Sequence, residues 1–168
     1  MNRLLFIFFL LAALVKIIAL VLTDFDLFGD EAQYWLWSKK LAFGYYSKPP
    51  FLAWIISFFT NFIGSSFISL KLIPFIFYFL TAYVVYLVSF ELFKKKENAF
   101  ITAISFYLIP AVSISSFILS TDVVLILFWS LSLLFLLKIR KNPKILNFVY
   151  LGIFLGLSFL TKYAAIYF

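Results

Sequence analysis

Long apolar runs separated by short polar segments dominate the sequence from one end to the other. Five of them are near the length that a helix needs to cross a bilayer, although the fourth is short: residues 4–22, 70–93, 99–119, 123–137 and 145–160. Because the bilayer core offers no water, the backbone of each run must satisfy its own hydrogen bonds, which requires helices. The pattern therefore predicts an all-α fold, a multi-spanning transmembrane helix bundle.

Composition supports a membrane as the solvent of this chain, because 65% of its 168 residues are hydrophobic and 12% are charged. The net charge of +7 would fit a nucleic-acid partner, but the basic residues form short clusters between the apolar runs. Such clusters are typical of cytoplasmic loops under the positive-inside rule. We therefore expect membrane lipids as partners and no nucleic acid.

Cysteine and histidine are both absent from the sequence. Their absence excludes disulfides, thiolate or imidazole metal ligands, and Ser-His or Cys-His nucleophiles from this chain. Proton chemistry must therefore use carboxylates, lysine or tyrosine.

The charge pattern also predicts which loops share a side of the membrane. The lysine-rich loops at 94–96 and 138–144 are expected in the cytoplasm together with the amino terminus. An external loop, residues 23–69, then lies outside with the turn at 120–122. This outer face holds five of the seven acidic residues: Asp24, Asp26, Asp30, Glu31 and Asp122. The apolar stretch 51–63 is too short to cross comfortably and is assigned to the interface.

The external loop carries its own helix and turn signals. A short helix is predicted from Gly29 through two terminal lysines, with Gly44 as its C-terminal cap. In the following residues 45–50, each proline favours an extended conformation in the residue before it, and Pro50 is suited to open the next helix. Lys48 is therefore expected on stiff backbone rather than on a loose loop.

Charged groups on the predicted outer face could carry chemistry. Asp30 and Glu31 are adjacent carboxylates, one of which could act as a general base, although an ordinary charged helix start is the alternative. Lys48 could present a fixed ammonium to an anionic headgroup or a leaving phosphate, or could snorkel to water.

Two further charged residues flank the later apolar runs. Asp122 could cap the following helix, or it could bind substrate or a metal ion. Lys162 is expected near the same outer surface, where it could join Lys48 around a phosphate or snorkel to water. Each signal is weak alone, but the Asp-Glu pair, Lys48 and Asp122 converge on one face of the membrane.

Four segments carry a family resemblance: Gly-Asp-Glu-Ala-Gln-Tyr-Trp at 29–35, Tyr-Tyr-Ser-Lys-Pro-Pro at 45–50, Ser-Thr-Asp at 120–122 with Phe-Trp at 128–129, and Gly-Leu-Ser-Phe-Leu-Thr-Lys at 156–162. In this order they resemble the lipid-phosphate-dependent glycosyltransferases of superfamily C. The protein O-mannosyltransferase and lipid A aminoarabinose transferase branch is the most similar part of that superfamily. Together the segments cover almost the whole chain.

The resemblance implies transfer of a sugar from a polyprenyl-phosphate-linked donor to an acceptor hydroxyl of a lipid, glycan or protein. It implies inverting displacement at the outward face of the bacterial inner membrane, with no cofactor required and a divalent metal left open. Asp30 would be the catalytic aspartate and Glu31 an acceptor-side or supporting carboxylate. Lys48 matches the lysine that meets the lipid phosphate, and Asp122 matches an aspartate that positions substrate or metal.

Two other hypotheses remain open on the sequence. A lipid or solute carrier or flippase would also use outer basic residues and aromatic belts, but it would not need an interfacial loop with Asp-Glu and Lys-Pro-Pro. An inactive truncated membrane fragment is the third hypothesis. Because the sequence stops at Phe168 inside an apolar stretch, residues 1–168 are expected to be the N-terminal part of a longer polytopic glycosyltransferase.

Overall fold

The computed structural model of the protein describes residues 3–22 and 26–168, and every regular element in those ranges is a helix. In chain order these are α1 (Arg3–Leu22), α2 (Gly29–Ser38), α3 (Phe51–Ile63), α4 (Phe67–Phe93), α5 (Lys96–Leu108), α6 (Pro110–Ser115), α7 (Thr121–Lys141), α8 (Ile145–Thr161) and a short 3-10 helix (Tyr163–Tyr167). The predicted all-α fold is confirmed. Asp24 lies outside the described residues.

Helices α4 and α7 are long and apolar enough to cross a membrane, by length and composition alone. The described apolar part of α1, Phe6–Leu22, is shorter, as are α3 and α8. These shorter helices nevertheless expose large apolar side chains, such as Val15, Phe62 and Ile145. Large apolar side chains exposed in this number along α1, α3 and α8 fit an apolar solvent such as a membrane. The five-crossing topology stays a prediction.

The predicted span at 99–119 is not one helix, which corrects that expectation. Helix α5 ends at Leu108 and α6 begins at Pro110, with Ile109 between them at φ −54° and ψ 128°. Proline has no amide hydrogen and disfavours helical backbone in the residue before it, which explains the break.

The fourth apolar run forms a longer helix than the run itself. Helix α7 extends beyond 123–137 at both ends, because Thr121 and Asp122 form its first turn and basic residues form its last. An acid in the first turn and cations in the last turn both stabilise a helix through its dipole. The short fourth run therefore belongs to a helix of 21 residues, about 30 Å long at a rise of about 1.5 Å per residue.

An ion-pair cluster marks one end of the bundle. Glu91, near the end of α4, lies 2.9 Å from Lys141 at the end of α7 and 2.8 Å from Lys94. Helices α4 and α7 therefore run parallel, and both lysine-rich loops lie at the same end, as the charge pattern predicts. The first turns of α4 and α7 form the opposite end, about 30 Å away along α7.

The external loop packs onto that opposite end. One buried apolar cluster joins α2 and α3 to α4, α7 and the residues just before α7: Tyr34, Leu52, Ile56, Leu70, Ile73, Leu119, Val124 and Phe128. Burying apolar area of this kind stabilises the loop by roughly 25 cal/mol per Å². The loop is therefore a packed part of the fold.

Helix α2 is shorter than predicted, which corrects the expectation that Gly44 caps it. The helix ends at Ser38, and Lys39 caps it in right-handed helical conformation. The Tyr45 hydroxyl lies 3.0 Å from the Trp37 carbonyl oxygen and 3.1 Å from that of Lys40. The single hydroxyl hydrogen is shared between these two carbonyl groups near the end of α2, which a longer helix would have bonded internally.

Candidate functional site

The first turn of α2 presents the two predicted carboxylates to opposite environments. Asp30 is exposed, and no hydrogen bond or ion pair to it occurs among residues 3–22 and 26–168. Glu31 has no exposed surface. Because neighbouring residues on a helix point about 100° apart, one of the pair faces solvent while the other enters the protein.

Glu31 is bound on every side. Its carboxylate lies 2.8 and 2.6 Å from Lys71 Nζ of α4, through Oε1 and Oε2 respectively. The backbone amides of Leu119 and Phe28 also donate to it, at 2.6 and 2.9 Å. Lys71 was not among the residues predicted from the sequence. The signal was a single lysine within the second apolar run, a position where a charge needs a partner.

Tyr34 is influenced by both of the aspartates that the family resemblance marks, Asp30 and Asp122. Its side chain is buried, and burial is the largest cause that raises the pKa of its hydroxyl, followed by the negative charges of Asp30 and then Asp122. An interaction with the Thr121 side chain opposes that rise in pKa. The tyrosine hydroxyl is therefore protonated at neutral pH and can donate a hydrogen bond between the first turns of α2 and α7.

Asp122 forms an ion pair with Lys162 rather than capping its own helix. Ser120 occupies the N-cap position of α7 and Asp122 follows in the first turn, so the N-cap alternative is wrong. Lys162, directly after α8, places Nζ 2.6 Å from Asp122 Oδ1. Both side chains keep access to solvent, with exposed fractions of 55% for Asp122 and 28% for Lys162.

Lys48 sits on backbone that is held from several directions, as the prolines predict. Pro49 and Pro50 are buried, and Pro50 is the N-cap of α3. The Lys48 carbonyl accepts a hydrogen bond of 3.1 Å from the amide of Tyr45, whose ring stacks on Trp37 at 4.8 Å. In the described part of the chain, the Lys48 ammonium has no ion-pair partner, and the hypothesis that it joins Lys162 around a phosphate stays a prediction.

The structure pairs two of the predicted groups with each other and leaves two others without an ion-pair partner among the described residues. Asp30 and Asp122 both raise the pKa of Tyr34, and Lys162 pairs with Asp122, whereas Lys48 and Asp30 pair with no residue in 3–22 or 26–168. Within residues 3–22 and 26–168, no three carboxylates cluster closely enough to hold a metal ion. The arrangement offers an exposed carboxylate, a free ammonium and a neutral hydroxyl, which are the groups needed to move a proton and to bind an anion.

Comparison with known families connects this geometry to an activity class. The model of the dolichyl-phosphate-mannose-protein mannosyltransferase family matches residues 47–168. The chain belongs to this family of glycosyltransferases. The matched range includes Lys48, Asp122 and Lys162, whereas Asp30 and Glu31 precede it.

Two curated relatives of this glycosyltransferase chain come from bacteria. The chain is 38% identical over 144 residues to a lipid A galacturonosyltransferase of Rhizobium johnstonii, covering 84% of this chain and 30% of the relative. It is 32% identical over 126 residues to an undecaprenyl phosphate-alpha-4-amino-4-deoxy-L-arabinose arabinosyl transferase of Wigglesworthia glossinidia brevipalpis, covering 70% of this chain and 22% of the relative. The chain thus spans less than a third of each relative. No solved structure matches it significantly.

Proposed function

We propose that this chain carries the catalytic carboxylate and the phosphate-binding lysine of a glycosyltransferase that uses an undecaprenyl-phosphate-linked sugar. The donor class follows the name of the arabinosyl transferase relative, and the lipid A acceptor class follows that of the galacturonosyltransferase relative. Both names describe the transfer of a glycosyl group, which fits the family match.

The single observation that carries the proposal is the pair of unpaired charges on the external loop. Asp30 and Lys48 have opposite charges, and neither is neutralised by another described residue. Both lie on the α2–α3 unit, whose apolar cluster fixes it against the first turns of α4 and α7. Among the described charges of this loop that keep access to solvent, Asp30 and Lys48 are the two that the family resemblance marks, and a group that acts on a substrate must be available to it.

In the proposed reaction, Asp30 acts on the acceptor side of the sugar and Lys48 acts on the phosphate side. Asp30 accepts the proton of the acceptor hydroxyl as that oxygen forms a bond to the anomeric carbon of the donor sugar. The bond between the anomeric carbon and the phosphate oxygen breaks, and the electron pair leaves with the phosphate. Lys48 stabilises the negative charge of that leaving polyprenyl phosphate. Attack opposite to the leaving group inverts the anomeric configuration, and no cofactor enters the balance.

The proposal also assigns a side of the membrane. The lysine-rich loops at 94–96 and 138–144 lie at the end of the bundle opposite to Asp122 and Lys71. The positive-inside rule assigns such loops to the cytoplasm. The site then faces outward from the bacterial inner membrane, where a lipid-linked sugar donor can be used without nucleotide sugars.

Asp30→Asn in the natural full-length protein tests the proposed base. Asparagine keeps the shape of the side chain and removes proton acceptance, so turnover should fall by at least about 100-fold while the donor KM stays within a few-fold. The assay follows transfer from undecaprenyl-phosphate-linked galacturonic acid or 4-amino-4-deoxy-L-arabinose to lipid A.

Asp26→Asn is the matched control, because Asp26 is an exposed acid of the same loop. Its Oδ1 accepts a 2.8 Å hydrogen bond from the Leu27 amide, which an asparagine oxygen can also accept. This variant should keep the parent rate. Near-normal turnover of Asp30→Asn, or an equal loss in both variants, would overturn the assignment of Asp30 as base.

A lipid carrier is the second candidate, and the break at Pro110 favours it. Carriers commonly place broken helices beside charged groups inside the membrane. Here the Lys16 ammonium of α1 donates to the Ser113 carbonyl at 3.4 Å and to the Ser116 hydroxyl, at the end of α6. Movement of a fluorescent undecaprenyl-phosphate analogue across proteoliposomes, without sugar transfer to lipid A, would support the carrier instead.

A further inference from the structure

The Glu31 carboxylate has no free capacity to accept a substrate proton. Oε1 accepts hydrogen bonds from Lys71 and from the Leu119 amide, and Oε2 accepts from Lys71 and from the Phe28 amide. A carboxylate offers about four lone-pair sites, so these four contacts fill them. The group is also fully enclosed. A general base must reach the proton that it removes, and Glu31 cannot do so.

The three partners of Glu31 belong to three different parts of the fold. Phe28 is the N-cap of α2, Lys71 lies in the first turns of α4, and Leu119 directly precedes Ser120, the N-cap of α7. The phenyl rings of Phe28 and Phe67 lie 5.5 and 5.3 Å from Lys71 Nζ and help to enclose it. One carboxylate thus connects the first turn of α2 with the starts of α4 and α7.

Those connected segments carry the proposed site. Asp30 immediately precedes Glu31, and Asp122 follows Leu119 by three residues. Tyr34 lies one turn after Asp30 on α2, and the negative charges of Asp30 and Asp122 both raise the pKa of its hydroxyl. A shift of the Glu31 contacts would therefore move Asp30 relative to Asp122.

A buried ion pair is a poor way to gain stability, because the cost of removing both charges from water offsets their attraction. An apolar pair of similar size would hold α2 against α4 equally well. An apolar pair could not accept a hydrogen bond from the Leu119 amide. The charged Glu31 Oε1 accepts one at 2.6 Å and so fixes the position of that backbone group. The pair is therefore suited to set a position rather than to add stability.

We propose that Glu31, paired with Lys71, is a positioning residue that fixes the catalytic Asp30 relative to Asp122. The Glu31 contacts with Lys71 and with the Leu119 amide act as a clamp between α2 and the start of α7. This inference rests on the proposed function for its effect on catalysis, while the clamp itself is a statement about geometry.

A distance measurement tests the clamp without using activity. These 168 residues contain no cysteine, so Gln33→Cys on α2 and Ser120→Cys before α7 can carry a pair of spin labels in the natural full-length protein once any cysteine outside them is replaced. The parent should give one narrow distance distribution. Glu31→Gln replaces two of the acceptor sites by an amide that donates, so it should broaden the distribution and lower kcat by about ten- to a hundred-fold. The donor KM should stay within a few-fold, because Lys48 is not held by the clamp.

A second variant separates positioning from misfolding. Glu31→Gln combined with Lys71→Met leaves no unpaired buried charge, so this protein should accumulate like the parent. Its amide oxygen can still accept one backbone amide, but not four hydrogen bonds. We expect a broad distribution and a low kcat to persist in it. Glu97→Gln is the control, because Glu97 is an exposed acid in the first turn of α5.

The two readouts distinguish the clamp from the proposed base. A narrow distribution in Glu31→Gln together with lost turnover would overturn positioning, since Glu31 would then act directly. A broad distribution with unchanged kcat, or full recovery of kcat in the double variant, would also overturn it. Near-normal turnover of Asp30→Asn would remove the proposed base, yet it would leave the distance result unaffected.

Discussion

Lys162 and Asp122, forty positions apart in the sequence, form an ion pair with 2.6 Å between Nζ and Oδ1. The pair is partly exposed, and such pairs are typically worth at most about 1 kcal/mol. The phosphodiester group of the donor, which also carries a negative charge, can therefore compete with Asp122 for the Lys162 ammonium. We therefore expect Lys162 to release the Asp122 carboxylate and to bind the donor phosphate in its place.

If the donor phosphate replaces Asp122 as the partner of Lys162, substitutions of these two residues should change the donor KM in opposite directions. Asp122→Asn should free Lys162 and lower the donor KM by about two- to five-fold. This change in KM corresponds to the free energy of a surface ion pair. Lys162→Met should raise the donor KM by about ten-fold, because a charge-assisted hydrogen bond is lost. The measurement is donor saturation with undecaprenyl-phosphate-linked sugar.

Lys94→Met provides the matched control for that experiment. Lys94 pairs with Glu91 at 2.8 Å, also with partial exposure, but at the opposite end of the bundle. Its loss should leave the donor KM unchanged. A KM that moves in the same direction in Asp122→Asn and Lys162→Met would show that Lys162 only holds Asp122 in place.

Lys48→Ala should weaken the use of the donor more than it disturbs folding. The ammonium has no partner among the described residues, so its removal breaks no ion pair, while Pro49 and Pro50 still hold the backbone. The donor KM should rise by about ten-fold or more, and kcat should fall because the leaving phosphate loses its cation. Lys40→Ala, an exposed lysine in the same loop, should leave both constants unchanged. Unaltered donor saturation and turnover in Lys48→Ala would remove Lys48 from the site.

Single cysteines test the assignment of the site to the outer face, because the chain has none of its own. Ser47→Cys, in the external loop, should react with a membrane-impermeant thiol reagent added to intact cells. Asn98→Cys, just after the first lysine-rich loop, and Asn142→Cys, within the second, should react only after permeabilisation. All three positions are exposed, so a difference in labelling reports sidedness and not burial. Labelling of Asn98→Cys in intact cells would place the lysine-rich loops outside.

Several features of this protein follow from local sequence. The apolar runs at 70–93 and 145–160 predict α4 and α8 closely, because a long apolar segment has few ways to satisfy its backbone other than a helix. The lysine clusters predict that both loops share one end of the bundle, which the contacts of Glu91 confirm. The prolines at 49–50 predict the held backbone of Lys48, because their restriction acts on adjacent residues only.

Local sequence was a weaker guide where two nearby signals compete. Pro110 lies inside an apolar run, and apolar character alone predicts one continuous span at 99–119. The missing amide hydrogen of the proline decides the outcome and divides the run into α5 and α6. Gly44 is similarly a plausible helix end, but α2 ends earlier, where the Tyr45 hydroxyl lies within hydrogen-bond distance of the Trp37 and Lys40 carbonyls.

Only the tertiary structure decided which charges pair and which stay free. Glu31 meets Lys71 across forty positions and the Leu119 amide across 88, while Asp30 beside it stays exposed. Both acids read alike in the sequence, because each is a carboxylate in a first turn. Their roles separate when the helix packs, since packing turns one side chain into a low-dielectric interior where it needs donors and leaves the other in contact with solvent.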